Sequence, residues 1–239
     1  MSLHSLLDAL FPAGHAVAVE GKLIAGTAQA GAGPVAVLGT TDAAAIGHDI
    51  ALGLAGRLLD LIEQHPGRPI VFLVDTSGQA LSRAEELLCL NGSLAHLARC
   101  VDLARRKRHR SVALVTGQAV SGGFLSFGLM ADQTFALADA QVRVMDLKAM
   151  ARVTKIAHER LVELAGSSPT FAPGAENYQR MGAIAAIWPE ASAALLDAAL
   201  ADATAQDTRL LAGRERGGRM LGARSEERRV GKECRSRWS

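Results

Sequence analysis

SVALVTGQAVSGGFLSFGLMADQTFALADA, the sequence of Ser111–Ala140, is the stretch around which we expect the fold to form. Ser111–Thr116 is a short apolar run rich in β-branched residues, which predicts a buried strand. Gly117-Gln118 then predicts a polar turn, and the apolar stretch Phe124–Met130 predicts a helix. Ser121-Gly122-Gly123 stands between the turn and the helix.

The glycine pair Gly122-Gly123 lies where the predicted strand passes into the predicted helix. The first N–H groups of a helix have no intrahelical partner, the helix dipole adds partial positive charge there, and glycine lets a ligand approach the backbone closely. Such a corner can hold an oxyanion. The same glycines also suit a tight turn that needs them only for packing, and on this stretch alone both interpretations stay open.

A second unit with the same plan comes earlier in the chain. Ile70–Val74 is a continuous apolar run typical of a strand buried on both faces. Asp75–Gln79 predicts a polar turn, and a long helix is predicted over about 81–106. Parallel strands joined by helices place their following turns at the same sheet edge, where open α/β sheets bind ligands. We therefore expect two sets of backbone donors to face one cleft.

The remaining elements are predicted to be short, except for a helix from Ala43 to about Gln64. Asp42 is predicted to cap that helix, because an aspartate oxygen accepts from the free N–H groups of a first turn. The other expectations are a helix over Leu3–Leu10, a hairpin over His15–Ala25, strands at Pro34–Leu38, Phe135–Ala138, Val142–Met145 and Ala183–Trp188, and helices from Met150 to about Leu164, over Gly174–Met181, over Glu190–Leu200 and from about Thr204 to Arg216.

The composition suits one large domain, which we place at residues 1–217. Of the 239 residues, 49% are hydrophobic and 4% aromatic, which favours closely packed elements around a sizeable core. Residues 218–239 lack apolar periodicity and are interpreted as a disordered, vector-derived tail, with a natural tail as the alternative. The net charge of +2 comes from Ser225–Ser239, so no nucleic-acid partner is predicted.

Cysteine and histidine usage excludes several classes of protein. The three cysteines, Cys89, Cys100 and Cys234, are too few for a disulfide framework and form no CxxC motif, which is typical of a cytoplasmic protein. The seven histidines are scattered and none stands at metal-ligand spacing from a cysteine, so no metal is expected. The uncharged run Ser111–Ala131 is interrupted by glycines and polar residues, so no membrane span is predicted.

Asp75-Thr76-Ser77-Gly78, the long helix and Gly117–Gly123 together resemble the crotonase superfamily. Within it they resemble the carboxyltransferase branch, where an Asp-Thr-x-Gly turn and a Ser-Gly-Gly turn recur in this order. With AENYQRMGAIAAIWP at Ala175–Pro189, the sequence resembles in particular the gamma subunits of biotin-independent malonate decarboxylases. The resemblance covers about Val17 to Leu211. It implies an α/β fold, a crotonase-like ββα spiral with parallel sheets and terminal helices.

The same resemblance implies a carboxy-lyase that works as part of a hetero-oligomer. Its expected partners are a beta subunit, which forms a heterodimer with it, an acyl carrier protein subunit and an acyl carrier protein transferase (alpha) subunit. With the beta subunit it is expected to decarboxylate malonyl-S-acyl carrier protein to acetyl-S-acyl carrier protein. No cofactor is expected to bind this chain directly, since the phosphopantetheine-type prosthetic group belongs to the carrier protein.

The site residues follow from this chemistry, because loss of CO2 turns the thioester carbonyl into an enolate oxyanion. Preorganised backbone donors stabilise such a charge by about 3 kcal/mol each. The Gly122-Gly123 corner is expected to hold one oxygen and the Ser77–Gln79 turn another, while glutamine side chains orient the leaving carboxylate or a water. The candidates are Gly78, Gln79, Gly122 and Gly123 for catalysis, and Ser77, Gln118, Ser121 and Phe124 for substrate binding.

Three other functions stay open. Gly117–Ser121 with Phe135–Ala140 also resembles Clp-type serine peptidases, but Val144-Met145-Asp146 stands where those proteins have the histidine base that a serine nucleophile needs. A biotin-dependent acyl-CoA carboxyltransferase is the alternative within the same branch. A non-catalytic subunit that shapes the partner's active site is the alternative of another class. Gly123→Val is expected to separate this last function from catalysis.

Overall fold

The computed structural model describes residues 1–167, 172–204 and 206–218, which form an α/β fold. The strands are β1 (His15–Glu20), β2 (Leu23–Ala30), β3 (Gly33–Thr40), β4 (Ala44–Ile46), β5 (Ile70–Gln79), β6 (Ser111–Val120), β7 (Gln133–Leu137), β8 (Gln141–Arg143) and β9 (Ile187–Trp188). The helices are α1 (Leu3–Leu10), α2 (His48–Gln64), α3 (Arg83–Leu87), α4 (Leu90–Arg106), α5 (Ser121–Phe127), α6 (Leu147–Thr154), α7 (His158–Ser167), α8 (Ala175–Arg180), α9 (Ala193–Asp202) and α10 (Arg209–Glu215).

The strands of the described residues belong to one sheet. Its order is β1-β2-β3-β5-β6-β7-β9, with β4 beside β5 and β8 beside β6. The first three strands form an antiparallel meander, and the later pairings are parallel. The predicted α/β class, with parallel strands joined by helices and with terminal helices, is therefore confirmed.

Strands β5 and β6 lie side by side, and each changes its outer neighbour halfway along its length, from β3 to β4 for β5 and from β7 to β8 for β6. Their first halves pair in register, Ile70–Val74 against Ser111–Val115, and the register shifts between Val74 and Thr76. Beyond the shift β5 pairs with β4, and the end of β6 pairs with β8. The segments predicted as polar turns, Asp75–Gln79 and Gly117-Gln118, are thus parts of β5 and β6, and the expectation of turns there was wrong. Glycine and aspartate are depleted in strands, and distant pairing overrides that preference here.

The sheet is buried on both faces between two apolar cores. On one face Phe72 and Val74 pack with buried side chains of α2, α4 and α5. On the other face Val71 and Leu73 pack with buried side chains of α1 and α9. Successive side chains of a strand point to opposite faces, so an unbroken apolar run such as Ile70–Val74 supplies both cores. This confirms the prediction of a doubly buried strand.

Two predicted helices are interrupted by a residue with left-handed backbone. Cys89, with φ of +60°, precedes α4 and separates it from α3, so the helix predicted over about 81–106 is two helices. Lys155, with φ of +61°, ends α6 before α7 begins, so the helix expected from Met150 is also divided.

The N-terminus of α2 is capped from α3 and not by the predicted Asp42. The helix begins at His48, because the preceding residues form β4. Glu85 Oε2 accepts a hydrogen bond from the His48 backbone N–H at 2.9 Å, and the His48 ring Nδ1 lies 2.8 Å from Ser93 Oγ of α4. A carboxylate is stabilised beside a helix N-terminus. Asp42 lies before the helix, where its backbone oxygen accepts from Lys22 Nζ.

In the ranges that the structure describes, no helix has both the length and the apolar character needed to cross a bilayer. Most of the segment interpreted as a tail, residues 219–239, lies outside the described residues, so the domain boundary near residue 217 stays a prediction.

Candidate active site

The two glycine-containing segments lie in direct contact, as the shared sheet edge predicts. A Cβ atom placed on Gly123 would lie 2.8 Å from the backbone carbonyl carbon of Gly78 and 2.8 Å from Thr76 Oγ1. A Cβ atom on Gly78 would lie 3.3 Å from the backbone oxygen of Val120. The end of β5 therefore packs backbone to backbone against the first turn of α5.

Two of the candidate amides have hydrogen-bond partners within the chain. The Gly78 N–H donates to Thr76 Oγ1 at 3.0 Å, and that hydroxyl donates to the backbone oxygen of Ala44 at 2.6 Å. The Gly122 N–H donates to Gln79 Oε1 at 3.1 Å. Thr76 is fully buried at 0% exposure, whereas Gln79 is half-buried. The Gly78 N–H is thus engaged within the strand structure. A ligand oxygen, in contrast, can replace Gln79 Oε1 as the acceptor of the Gly122 N–H.

Gly122 and Gly123 lack side chains for different reasons. At Gly123 a Cβ atom would approach the Gly78 backbone and Thr76 more closely than real Cβ atoms do. At Gly122 it would lie 3.2 Å from Gln79 Oε1, the end of a flexible side chain. The expectation that Gly123→Val separates catalysis from structure was therefore wrong, because valine would displace β5 itself. A substitution of Gly122 by a residue with a small side chain therefore tests catalysis without displacing β5.

Asp75 holds the two bent strands together. Its Oδ2 accepts from the Ala43 N–H at 2.9 Å, and its Oδ1 accepts from the Gln118 N–H at 2.8 Å. A Cβ atom on Gly117 would lie 2.5 Å from Asp75 Oδ1, so this glycine makes room for the carboxylate. Both carboxylate oxygens are engaged within the chain, and Asp75 therefore positions the glycine segments.

Of the four predicted substrate-binding residues, three are at least partly exposed near the glycine corner and one is buried in the core. Ser77 is exposed, and Ser121, with φ of +50°, is half-buried at the first turn of α5. Gln118 is half-buried, and its Oε1 accepts from Arg143 Nη2 at 2.9 Å, which fixes its amide orientation. Phe124 is 1% exposed and packs in the core with α2 and α4. Its side chain is enclosed in the core and leaves no accessible surface for a substrate, against the expectation.

Arg143 is the residue near the site that the sequence analysis missed. Strand β8 pairs with the end of β6, which places Arg143 opposite Val120 and beside the glycine corner. Its guanidinium donates to Gln118, 25 residues away in the sequence. No local pattern shows such a pairing. The one available signal was an arginine inside a short predicted strand that follows the corner.

The histidines of the described residues do not form a serine-peptidase site at Ser121. The His48 ring contacts Ser93 Oγ and, at 3.6 Å, Glu85 Oε2. Because Glu85 also accepts from the His48 backbone N–H, this group of three residues is the cap that joins α2, α3 and α4. The arrangement gives no support to the peptidase alternative.

The bent parallel strands and the glycine corner place the chain in the class of crotonase-fold, carboxyltransferase-like proteins. It is similar to the transcarboxylase 12S structure with hydrolysed methylmalonyl-coenzyme A bound, with a TM-score of 0.70 over 84% of this chain and 41% of that chain, at 15% identity, which shows the fold alone. The family described as malonate decarboxylase gamma subunit matches residues 41–233. The chain belongs to the malonate decarboxylase gamma-subunit family. Since the match overlaps residues 218–239, their interpretation as an added tail stays a prediction.

Two further similarities agree with this family. The chain is 25% identical to a chain of a Pseudomonas malonate decarboxylase hetero-tetramer in complex with coenzyme A, with a TM-score of 0.79 and 97% of both chains covered. It is 36% identical over 120 residues to the malonyl-S-ACP:biotin-protein carboxyltransferase MADD of Malonomonas rubra. That alignment covers 49% of this chain and 41% of MADD, so the chain spans less than half the length of this curated relative.

Proposed function

We propose that this chain and a beta-subunit partner decarboxylate malonyl-S-acyl carrier protein to acetyl-S-acyl carrier protein and CO2, a lyase reaction in the cytoplasm. The observation that carries the proposal is the Gly122 N–H, which donates at 3.1 Å to Gln79 Oε1, a movable acceptor that a substrate oxygen would replace. Support comes from membership of the malonate decarboxylase gamma-subunit family.

In the proposed reaction, the thioester carbonyl oxygen replaces Gln79 Oε1 as the acceptor of the Gly122 N–H. The bond to the carboxylate carbon breaks, its electron pair forms the enolate, and negative charge develops on the carbonyl oxygen. The hydrogen bond from Gly122 therefore strengthens towards the transition state, which is how a preorganised donor accelerates a reaction. Gly123, next in the same first turn, presents a second N–H without an intrahelical acceptor. A proton then adds to the carbanion carbon.

The side chains around the corner have positioning roles in this proposal. Gln79, once displaced from Gly122, is within reach of the leaving carboxylate. Arg143 holds Gln118 by its amide oxygen, so the amide nitrogen of Gln118 is the group that can donate to the substrate. Ser77 and Ser121 border the entrance, because both lie at the accessible rim of the corner.

The proposed partners are a beta subunit, which pairs with this chain, and an acyl carrier protein, which carries the malonyl group. A Pseudomonas hetero-dimer of MdcD and MdcE, similar to this chain at 25% identity with a TM-score of 0.75, supports the pairing with a beta subunit. The malonyl group arrives on the phosphopantetheine arm of the acyl carrier protein, and an alpha subunit serves as acyl carrier protein transferase. This chain then needs no tightly bound cofactor of its own.

A second candidate function is transfer of the carboxyl group to a biotin-carrying protein, which is the activity named for the M. rubra relative. The same enolate forms on the same amides, and only the acceptor of the carboxyl group differs. A biotin-dependent acyl-CoA carboxyltransferase is the form of this candidate with coenzyme A as the carrier.

Mass spectrometry of malonyl-acyl carrier protein incubated with this chain, with a beta subunit, or with both tests the proposal. We expect conversion to the acetyl form only with both proteins. Alanine keeps the N–H of residue 122, but its methyl group would lie 3.2 Å from the present position of Gln79 Oε1 and would displace a substrate oxygen there. Gly122→Ala should therefore lower the rate by about 10²-fold. Gly92→Ala is the matched control, because an added Cβ at this exposed position of α4 meets nothing within 4 Å.

Three outcomes of this experiment are decisive. A full rate with Gly122→Ala in an assembled complex would show that no substrate oxygen binds at the Gly122 N–H and would favour a subunit that only shapes its partner's site. No conversion by the wild-type pair would refute the decarboxylase function. Carboxylated biotin, formed when a biotinylated carrier is added, would favour the second candidate.

A further inference from the structure

Two histidines and one aspartate converge near the start of the chain, outside the candidate active site. His4 and Asp8 lie one turn apart on α1, and His15 is the first residue of β1. His4 Nε2 lies 3.4 Å from Asp8 Oδ2, and His15 Nε2 lies 3.3 Å from Asp8 Oδ1. One ligand atom from each of the three side chains can be chosen so that all lie within 4.8 Å of one another.

The turn between α1 and β1 fixes this arrangement. The Gly14 N–H donates to the backbone oxygen of Phe11 at 2.9 Å, and the Gln29 N–H donates to the backbone oxygen of Gly14 at 3.0 Å. Helix α1 is anchored by side chains that are at most 4% exposed, namely Leu6, Leu7 and Leu10. The fold therefore holds His15 against the Asp8 face of the helix.

The two separations, each to a different oxygen of Asp8, match those of ligand atoms around a tetrahedral metal ion, although the His15–Asp8 contact is also within hydrogen-bond distance. Ligand atoms about 2.0–2.1 Å from a tetrahedral Zn²⁺ lie about 3.3–3.4 Å from one another. Charge-assisted N–H···O bonds are shorter, at about 2.7–2.9 Å. The His15 side chain is only 15% exposed, and its Nδ1 is buried without a hydrogen-bond partner among the described residues. An ion bound at His15 Nε2 would leave this Nδ1 as it is, and the convergence of the three ligand atoms is the observation that points to a metal ion.

We propose that His4, Asp8 and His15 bind one divalent transition-metal ion, with Zn²⁺ as the best fit. Two imidazole nitrogens and one carboxylate oxygen supply three ligands and water supplies the fourth, a donor set that Zn²⁺ accepts. The ion joins α1 to β1. The site is independent of the proposed decarboxylation, and no step of that reaction uses it.

The proposal is tested by titrating Co²⁺ into the full-length chain, freed of metal and carrying no polyhistidine tag. We expect about one equivalent of Co²⁺ to give the visible absorption of a tetrahedral site, and Zn²⁺ to abolish it. The unfolding temperature rises with Zn²⁺, because the ion binds the folded chain. His4→Ala and His15→Ala each weaken the apparent affinity by at least about tenfold, since even losses outside the ligand set cost that much.

His96→Ala is the matched control, because His96 lies on α4 outside the proposed ligand set, where its Nε2 lies 3.7 Å from Cys100 Sγ. The variant is expected to keep both the absorption and the shift in unfolding temperature. His4 is 79% exposed, so His4→Ala keeps the fold even if His15→Ala does not. Unchanged affinity in His4→Ala, loss of binding in His96→Ala, or no tetrahedral absorption with the wild-type chain would each overturn the proposal.

Discussion

At the scale of single residues, Gly122 and Gly123 are adjacent but have different tasks. Gly123 is buried and packs against the backbone of β5, while Gly122 is half-buried and donates to the movable side chain of Gln79. A Gly-Gly pair in a sequence does not show this division. It matters because only Gly122 can be altered without disturbing the strand that carries Gly78.

The first prediction concerns the stability of alanine variants at these two positions. Gly123→Ala is expected to lower the free energy of unfolding by about 1–3 kcal/mol, because the methyl group would crowd the Gly78 backbone. Gly122→Ala is expected to cost less, since the Gln79 side chain can move away. Urea unfolding measures both values. Equal losses would contradict the different tasks assigned to the two glycines.

The second prediction concerns Gln79. Its amide oxygen competes with the substrate for the Gly122 N–H, and a neutral hydrogen bond contributes about 1 kcal/mol net. Gln79→Ala is therefore expected to lower KM for the malonyl thioester about fivefold with kcat little changed. Gln64→Ala is the control, because Gln64 is exposed at the C-terminal end of α2, outside the site. A large fall in kcat at constant KM would show instead that Gln79 acts mainly on the leaving carboxylate and does not compete with the substrate for the Gly122 N–H.

At the scale of secondary-structure elements, the third prediction concerns the bend of β5 and β6. Asp75→Asn removes the charge and one of the two acceptor oxygens that receive Ala43 and Gln118. We expect a loss of about 1.5–3 kcal/mol in the free energy of unfolding, the usual range for bonds to charged groups. Asp139→Asn, at an exposed position, is the control. Equal effects of the two substitutions would refute the linking role of Asp75.

The fourth prediction concerns α8, which buries the one tyrosine of the chain. Burial raises the pKa of Tyr178 to about 12. Since the unfolded value is about 10, the neutral phenol contributes its full stability below about pH 10 and loses it as the pH rises through about 12. Tyrosinate absorbance should titrate near 12 in the native chain and near 10 in urea, and vanish in Tyr178→Phe. A native midpoint near 10 would mean that the ring is accessible.

The sequence predicted the elements whose signals are local. The apolar runs Ile70–Val74 and Ser111–Thr116 were recognised because a doubly buried strand needs no polar residue. The strand bends were missed because pairing with β4 and β8, and not local preference, keeps Asp75 and Gly117 extended. At the site, the contact between the glycine segments followed from topology. The contact of Arg143 with Gln118 did not, because it depends on side-chain positions.

At the scale of the whole molecule, the segment that follows β5 carries uncovered leucines. Leu81, Leu87 and Leu88 are 82%, 72% and 69% exposed, respectively. Since the proposed beta subunit completes the site at the end of β5, we expect it to cover this segment. Several large apolar side chains exposed within one short segment are typical of an interaction surface.

The fifth prediction is that Leu87→Ser weakens the affinity for the beta subunit by about tenfold or more, because burying a leucine contributes about 1.5–3 kcal/mol. Leu211→Ser on α10, at a position that is 56% exposed, is the matched control and should leave the affinity unchanged. Calorimetric titration measures both. Equal affinities for the two variants would place the partner on another surface.

The central claim is that the Gly122 N–H polarises a thioester carbonyl in the assembled complex. Infrared difference spectroscopy of an isotopically labelled, non-decarboxylating malonyl thioester analogue measures this polarisation on the bound carbonyl itself. With the wild-type chain and its beta subunit, the carbonyl band should lie at lower frequency than in water. With Gly122→Ala the N–H remains, but the added methyl group keeps the carbonyl oxygen away from it, so the band should return towards the aqueous frequency. An identical band in both complexes would contradict this role of Gly122.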